Sequence, residues 1–419
     1  MKRFEIIGGK KLCGRVCVDA SKNAILPLIA ATLLTTDEVV LENIPQISDV
    51  FKMFDILKAM GGKVSYDLDT GIAVIKNDSI QNYEIPQGLA SEIRSSIFML
   101  GPLLSMYKKA RVSYPGGCDI GSRPIDLHLF GLRELNVSIA EEYGFINCDG
   151  ANMKPKFIHL DFPSVGATEN LMMASVFLDG ETIIHNCAKE PEIVDLQNFL
   201  VSMGARVDGA GTSKIRVIGV KKLHGTRYAP MPDRIIAGTY MIACAITSGK
   251  IELTNANFEH VYSLINKLRK SGCNIDWKSG KIFIESVGRP SSCSFDTQPY
   301  PGFPTDLQPQ LTSLQAVSRG TSIITENLFE TRFKHIPELL KMGAKIIAKD
   351  RNAIVKGVRT LYGAEVVSYD LRGGAGLVLA GLKAKGKTIV QNVEYIDRGY
   401  AHLEDRLNEL GAEVVRKED

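Results

Sequence analysis

Apolar and polar positions along this chain follow one phrase that comes round six times: the apolar end of a helix, a tight turn, then an apolar or β-branched residue that opens a strand. The turns read Met60-Gly61-Gly62-Lys63-Val64, Leu135-Asn136-Val137, Met203-Gly204-Ala205-Arg206-Val207, Ser271-Gly272-Cys273-Asn274-Ile275, Met342-Gly343-Ala344-Lys345-Ile346 and Leu410-Gly411-Ala412-Glu413-Val414. Aligned on the first residue of each, the copies lie 75, 68, 68, 71 and 68 residues apart, a regularity that marks internal repetition. The glycine falls where a helix C-terminus needs a left-handed residue, and Asn136 is the usual substitute in the second copy.

Upstream of most copies a run of β-branched and apolar residues predicts a strand closing on asparagine, over 39–43, 182–186, 251–255, 323–327 and 389–392. Further helices are predicted over 24–34, 168–178, 235–246 and 377–382, and a first strand over 4–18. Units of 68 to 75 residues exceed the roughly 20–50 of a solenoid repeat, so small α/β modules gathered into domains are expected. Glycine and proline crowd residues 225–232, dividing three copies from three, which places a hinge near residue 230.

A chain of 419 residues is too long for one core at about 100–200 residues per domain, so two or three domains are expected. Fifty basic against forty-seven acidic residues leave a net charge of +3, which gives no reason to expect nucleic acid as the main partner. No signal core opens the chain and no segment approaches the ~18 apolar residues of a membrane span, so a cytoplasmic protein without membrane insertion is expected. The eight cysteines lack a CxxC pair or neighbouring histidines, which argues against a metal site and a disulfide framework. Gly373-Gly374-Ala375-Gly376 lacks the spacing of a nucleotide-binding fingerprint, and no cofactor is expected.

Candidate chemistry starts at Pro115-Gly116-Gly117-Cys118-Asp119-Ile120-Gly121-Ser122-Arg123-Pro124. Three glycines frame a thiol near a guanidinium, the pattern of an active-site lid. An inert cysteine in a surface turn is the alternative. Ser21-Lys22-Asn23 puts a cation and an amide at a helix start, where N–H groups favour anions, or is a plain cap with a solvated lysine. Arg94 reads as an anion ligand or a salt-bridge partner. Asp306, after Pro301-Gly302-Phe303-Pro304-Thr305, reads as a general base or as an N-cap for the helix through Leu311. Arg332, Arg372 and Arg398 each follow an acidic or polar turn, and a ring of guanidiniums suits a small, highly anionic substrate.

These segments, with 163–170, Pro191-Glu192-Ile193-Val194-Asp195, Pro232-Asp233-Arg234 and Asp397-Arg398-Gly399-Tyr400, make the whole chain resemble the UDP-N-acetylglucosamine 1-carboxyvinyltransferases, enolpyruvyl transferases of the EPSP synthase family. The resemblance implies an α/β (α+β) fold, a two-domain inside-out α/β barrel of six βαβαββ-type repeats. It implies domains of 22–229 and of 1–21 plus 230–419, the first strand joining the latter.

It also implies transfer of enolpyruvate from phosphoenolpyruvate to the 3-hydroxyl of UDP-N-acetylglucosamine. Cys118, Asp306, Lys22 and Arg398 would be catalytic. Lys22, Arg123 and Arg398, supported by Arg94 and Arg372, would hold phosphoenolpyruvate, and Asn23 the reacting sugar. Arg123, Pro124, Ile125, Asp126 and Leu127, with Ser164, Val165 and Gly166, would follow the uridine diphosphate, with Leu328 near the base. Asp306, Arg332 and Asp370 complete the substrate-binding set. Cys118 would make the enzyme a target of the epoxide fosfomycin. The chain departs from the family at Val18-Asp19-Ala20-Ser21, where a glycine is common, and at Phe162, Gln46 and Ser48, where some relatives are basic. The rival readings are a catalytically silent regulatory paralogue and 5-enolpyruvylshikimate-3-phosphate synthase, with a nucleic-acid scaffold weaker still.

Overall fold

The computed structural model describes residues 2–80, 82–114, 116 and 125–418. Described residues up to Asp19 and from Pro232 onward form one compact unit, and those from Ala20 to Met231 the other. Each unit contains three small sheets. In the first unit they run, in spatial order, Glu365–Val367, Lys387–Gln391, Lys2–Ile7, Val414–Glu418; then Cys273–Lys278, Lys281–Ser286, Lys250–Thr254, Cys13–Cys17; then Phe295–Asp296, Thr321–Thr325, Asn352–Lys356, Lys345–Lys349. In the second they run Arg206–Asp208, Lys214–Ile218, Glu181–His185, Phe157–His159; then Arg227–Tyr228, Val39–Leu41, Ile72–Lys76, Lys63–Asp67; then Lys109–Ser113, Phe145–Asp149, Ser138–Glu142.

Three helices lie at the centre of the first unit. Every residue of Arg234–Thr247 and of Gln308–Val317 is buried, as is Leu371–Lys383 up to Leu382, and these three helices pack on one another. A helix buried on all sides belongs at the centre of a core, and the buried Gln310, Thr312 and Ser313 of Gln308–Val317 spend their polar groups on hydrogen bonds. In the second unit Leu100–Tyr107 packs on Val165–Ser175 and Lys22–Ala31 on Pro191–Ser202. Strands such as Thr321–Thr325 alternate exposed and buried positions, as one wet face requires.

All six repeat turns are left-handed, with φ of 105° at Gly61, 67° at Asn136, 98° at Gly204, 99° at Gly272, 86° at Gly343 and 91° at Gly411. The closing hydrogen bonds recur: Ala205 N donates to Leu200 O at 3.0 Å, Ala344 N to Leu339 O at 3.1 Å and Ala412 N to Leu407 O at 3.0 Å, which satisfies carbonyls the helix end would otherwise leave free.

The strand-end asparagines follow a second rule. Asn43, Asn186, Asn255 and Asn392 have φ of 54°, 55°, 51° and 57°. Asn186 Nδ2 donates to Leu160 O at 2.6 Å and Asn255 Nδ2 to Val18 O at 2.7 Å, each clipping the residue that follows the neighbouring parallel strand. The fifth repeat departs from the predicted pattern. Thr325 pairs with Asp296 as His185 pairs with His159, so the position held by Asn186 falls to Glu326. Asn327, one residue later, is not left-handed, yet its Nδ2 still donates to Thr297 O at 3.1 Å.

The single strand predicted over 4–18 is two. Lys2–Ile7 lies antiparallel between Lys387–Gln391 and Val414–Glu418, whereas Cys13–Cys17 runs parallel to Lys250–Thr254 in another sheet. The break has a steric cause: a Cβ on Gly8 would lie 2.2 Å from Ala384 O, and Gly9 has a φ of 95°.

Among the described residues no helix is long and apolar enough to cross a membrane, and no group of three or more His, Cys, Asp or Glu is poised to hold a metal. The seven described cysteines are free thiols.

Candidate active site

In the unit containing the chain ends, three sequence-predicted residues converge. The 3₁₀ turn Thr305–Leu307 leads into the helix Gln308–Val317; Pro304 caps the turn and Leu307 the helix, so Asp306 is the N-cap of neither. Asp306 instead turns its carboxylate to two guanidiniums: Oδ1 accepts from Arg332 at 2.8 Å and Oδ2 from Arg372 at 3.1 Å. Both arginines are buried, while the Asp306 side chain keeps 26% of its surface exposed. Burial acts to lower the Arg372 pKa, but Asp306, then Tyr400 and Asp233, hold it above the ordinary arginine value. A carboxylate gripped on both oxygens and open to solvent on one side has the orientation and access a general base needs.

Local sequence explains the placement. Asp370 caps the helix Leu371–Lys383, its Oδ1 accepting from Arg372 N at 3.0 Å and Gly373 N at 2.9 Å, which fixes Arg372 in the first turn. Asp370 is thus a capping residue in this structure. Arg332 opens the 3₁₀ helix Arg332–His335 and also reaches Thr305 O at 3.4 Å. Gln310, one turn after Asp306, donates to Asp306 O and to the buried Tyr400 hydroxyl, each at 3.0 Å, and the Arg372 guanidinium lies 5.5 Å from the Tyr400 ring centroid. Arg398 ends the 3₁₀ helix Val393–Arg398, and Leu328 follows the strand Thr321–Thr325, its N–H held by Glu326 at 3.0 Å.

In the other unit Ser21 caps Lys22–Ala31, accepting from Ala24 N at 3.4 Å. Lys22 is nearly buried, and its Nζ lies 2.7 Å from Asp49 Oδ2; Asn23 is the next residue of that helix. Arg94 opens the 3₁₀ helix Arg94–Met99, and burial lowers its pKa. Ser164 caps Val165–Ser175, accepting from Ala167 N at 3.3 Å, so Val165 and Gly166 form the first turn. Ile125 precedes the helix Asp126–Glu134, in which Leu127 is the second residue. Cys118, Arg123 and Pro124 lie outside the described residues.

Several contributors were given no role by the sequence. His128, on the helix Asp126–Glu134, is buried and its pKa pushed down to about 3, by burial and then by Arg94. Asn170 spends its amide on Ile97 O at 3.0 Å and on His128 Nδ1 at 2.8 Å, so Nδ1 is the acceptor and the neutral ring carries its proton on Nε2. A Cβ at Gly166 would come 2.9 Å from that Nε2, so glycine is the residue this approach admits. Asp49 was hidden because Ser48-Asp49 reads as an ordinary helix start. Glu169, wholly buried behind the same first turn, has its pKa raised well above the usual carboxylate range by burial, then by Glu192 and Glu190.

The sequence profile of the EPSP synthase (3-phosphoshikimate 1-carboxyvinyltransferase) family matches residues 6–407. UDP-N-acetylglucosamine 1-carboxyvinyltransferase 2 of Caldanaerobacter subterraneus subsp. tengcongensis is 51% identical over 417 residues, covering 99% of this chain and all of that protein. UDP-N-acetylglucosamine 1-carboxyvinyltransferase of Shewanella woodyi is 43% identical over 419 residues, with 99% and 100% covered. Among solved structures, the enolpyruvyl transferase NikO from Streptomyces tendae superposes with a TM-score of 0.88 at 23% identity, covering 99% of this chain and 98% of that one. EPSP synthase from Acinetobacter baumannii does so with a TM-score of 0.76 at 17% identity over the full length of both; these two likenesses show the enolpyruvyl transferase fold. With a family profile spanning nearly its whole length and end-to-end relatives of one name, the chain belongs to the EPSP synthase (3-phosphoshikimate 1-carboxyvinyltransferase) family, among its UDP-N-acetylglucosamine 1-carboxyvinyltransferases.

Proposed function

We propose that this chain transfers the enolpyruvyl group of phosphoenolpyruvate to the 3-hydroxyl of UDP-N-acetylglucosamine, releasing phosphate, a step of peptidoglycan precursor synthesis. The observation that carries the reading is end-to-end identity of 43% to 51% with proteins of that name, and the double guanidinium grip on Asp306 supports its chemistry. Asp306 takes the proton of the sugar hydroxyl as its oxygen bonds to C2 of phosphoenolpyruvate. Cys118 gives a proton to the methylene carbon, which leaves a tetrahedral phosphoketal. Loss of phosphate and of a C3 proton then yields the enol ether. Lys22, Arg123 and Arg398, with Arg94 and Arg372, supply positive charge for the phosphate and carboxylate. Asn23, Ile125, Asp126, Leu127, Ser164, Val165, Gly166, Leu328 and Arg332 complete the sugar-nucleotide surface.

The test is phosphate release from phosphoenolpyruvate with UDP-N-acetylglucosamine, run beside shikimate 3-phosphate and beside Cys118→Ala. Release with the sugar nucleotide alone, lost in the variant, is expected. Release with shikimate 3-phosphate would overturn the acceptor, and sugar-nucleotide binding without release would make the chain a regulatory binder. Alkylation of Cys118 by fosfomycin, abolished in Cys118→Asp, is expected of the same thiol.

A further inference from the structure

We infer that Glu326 is a positioning residue that joins the Asp306 turn to the 327–332 segment, an inference that rests on the reaction proposed above. Its carboxylate is wholly buried and accepts four hydrogen bonds. Oε1 takes the Thr297 hydroxyl at 2.8 Å, Leu328 N at 3.0 Å and Phe329 N at 3.2 Å, and Oε2 takes the Thr305 hydroxyl at 3.0 Å. Three of the donors gather on Oε1 and one on Oε2, so both carboxylate oxygens are engaged. Two are backbone groups of the segment that leads to Arg332, and one belongs to the residue next to Asp306.

The register marks the position as special. In the four repeats where it is left-handed, the residue closing this strand is an asparagine; here it is Glu326, and the asparagine has moved one place on. The clip to the neighbouring strand is kept, and a carboxylate is added. A local breach of a repeat's own rule that brings a charged group into the core points to function. Closure follows through Arg332, which donates to Thr305 O at 3.4 Å and to Asp306 Oδ1 at 2.8 Å. Glu326 therefore holds both ends of the Asp306–Arg332 pair, one through the Thr305 hydroxyl and the other through the amides of Leu328 and Phe329. Arg351 braces the same segment from outside, donating to Asn327 O and to Glu330, each at 2.7 Å.

The experiment uses the intact chain with Glu326→Gln, Thr305→Val and Thr305→Ser. Hydrogen exchange is read at the Leu328 and Phe329 amides, and phosphate release gives kcat and KM. Glutamine keeps the shape but replaces charge-assisted acceptors with a weaker neutral one, so both amides should exchange about 5-fold faster. Misplacing the general base should lower kcat about 10- to 100-fold with little change in KM. Thr305→Val, which breaks the same bond from the other side and serves if Glu326→Gln fails to fold, should lower kcat in the same way, and Thr305→Ser should restore it. Folded variants that keep kcat within twofold of the parent overturn the positioning role, as does unchanged exchange at both amides. A parent chain without turnover overturns the reaction reading and this one with it, while the exchange result still reports whether the carboxylate holds the segment.

Discussion

Lys22 and Asp49 meet at 2.7 Å with 11% and 4% of their side-chain surfaces exposed, so the first cation of the candidate site is held by a carboxylate from the following helix. Removing one partner of a buried pair removes a charge contact that offsets the cost of burying the other. Asp49→Ala should destabilise the chain by about 3 kcal/mol in urea unfolding, and Asp49→Asn, which keeps a hydrogen-bonding oxygen, by less. Both should raise KM for phosphoenolpyruvate, because Lys22 loses its fixed direction.

Asp306→Asn retains the shape of the side chain and one acceptor for Arg332 or Arg372 but cannot take a proton. Calorimetry should show sugar-nucleotide binding little changed, while phosphate release falls about 10²- to 10⁴-fold. Equal losses in both measurements would mean that the carboxylate serves binding alone.

Glu169 should make stability depend on pH. Its folded-state pKa is raised, burial being the first cause, so the folded chain holds a proton that the unfolded chain gives up above its ordinary value of 4.5. The contribution is complete below that pH and is lost as pH rises toward the folded pKa, at up to about 1.4 kcal/mol per pH unit. Glu169→Gln, neutral throughout, should match the parent near pH 4 and exceed it near pH 7 in the urea midpoint. A constant difference across that range would place the effect elsewhere.

Gly272 isolates the backbone cost of the repeated turn, because a Cβ there would meet nothing within 4 Å although φ is 99°. Gly272→Ala should cost about 1–2 kcal/mol, the penalty of an L-residue in the left-handed region, and Gly272→Asn less. Thermal unfolding of the two variants reads the difference.

How much of this was legible in the sequence differs by element. The six turns were, because a left-handed backbone admits few residue types and Gly or Asn stands at each. The split at Gly8-Gly9 was not: its cause is the carbonyl of Ala384, remote in the chain. Asp306 was visible as a carboxylate after a stiff turn, but the choice between cap and base needed Arg332 and Arg372, 26 and 66 residues away. Glu326 was hidden by its neighbour, since Asn327 satisfied the strand-end rule by composition while the register had moved by one residue.

The strand Lys2–Ile7 has a consequence during synthesis. It is bonded on both sides by strands near the far end of the chain, with Arg3 opposite Gln391 and Lys2 opposite Glu418. At ribosomal rates of about 5–20 residues per second, these partners emerge roughly 20–80 seconds later. The residues from Ala20 to Met231 form their own unit and leave the ribosome while that strand still waits. That strand carries Arg3 and Glu5 among its apolar residues, and charge on an unpaired strand discourages pairing with other chains.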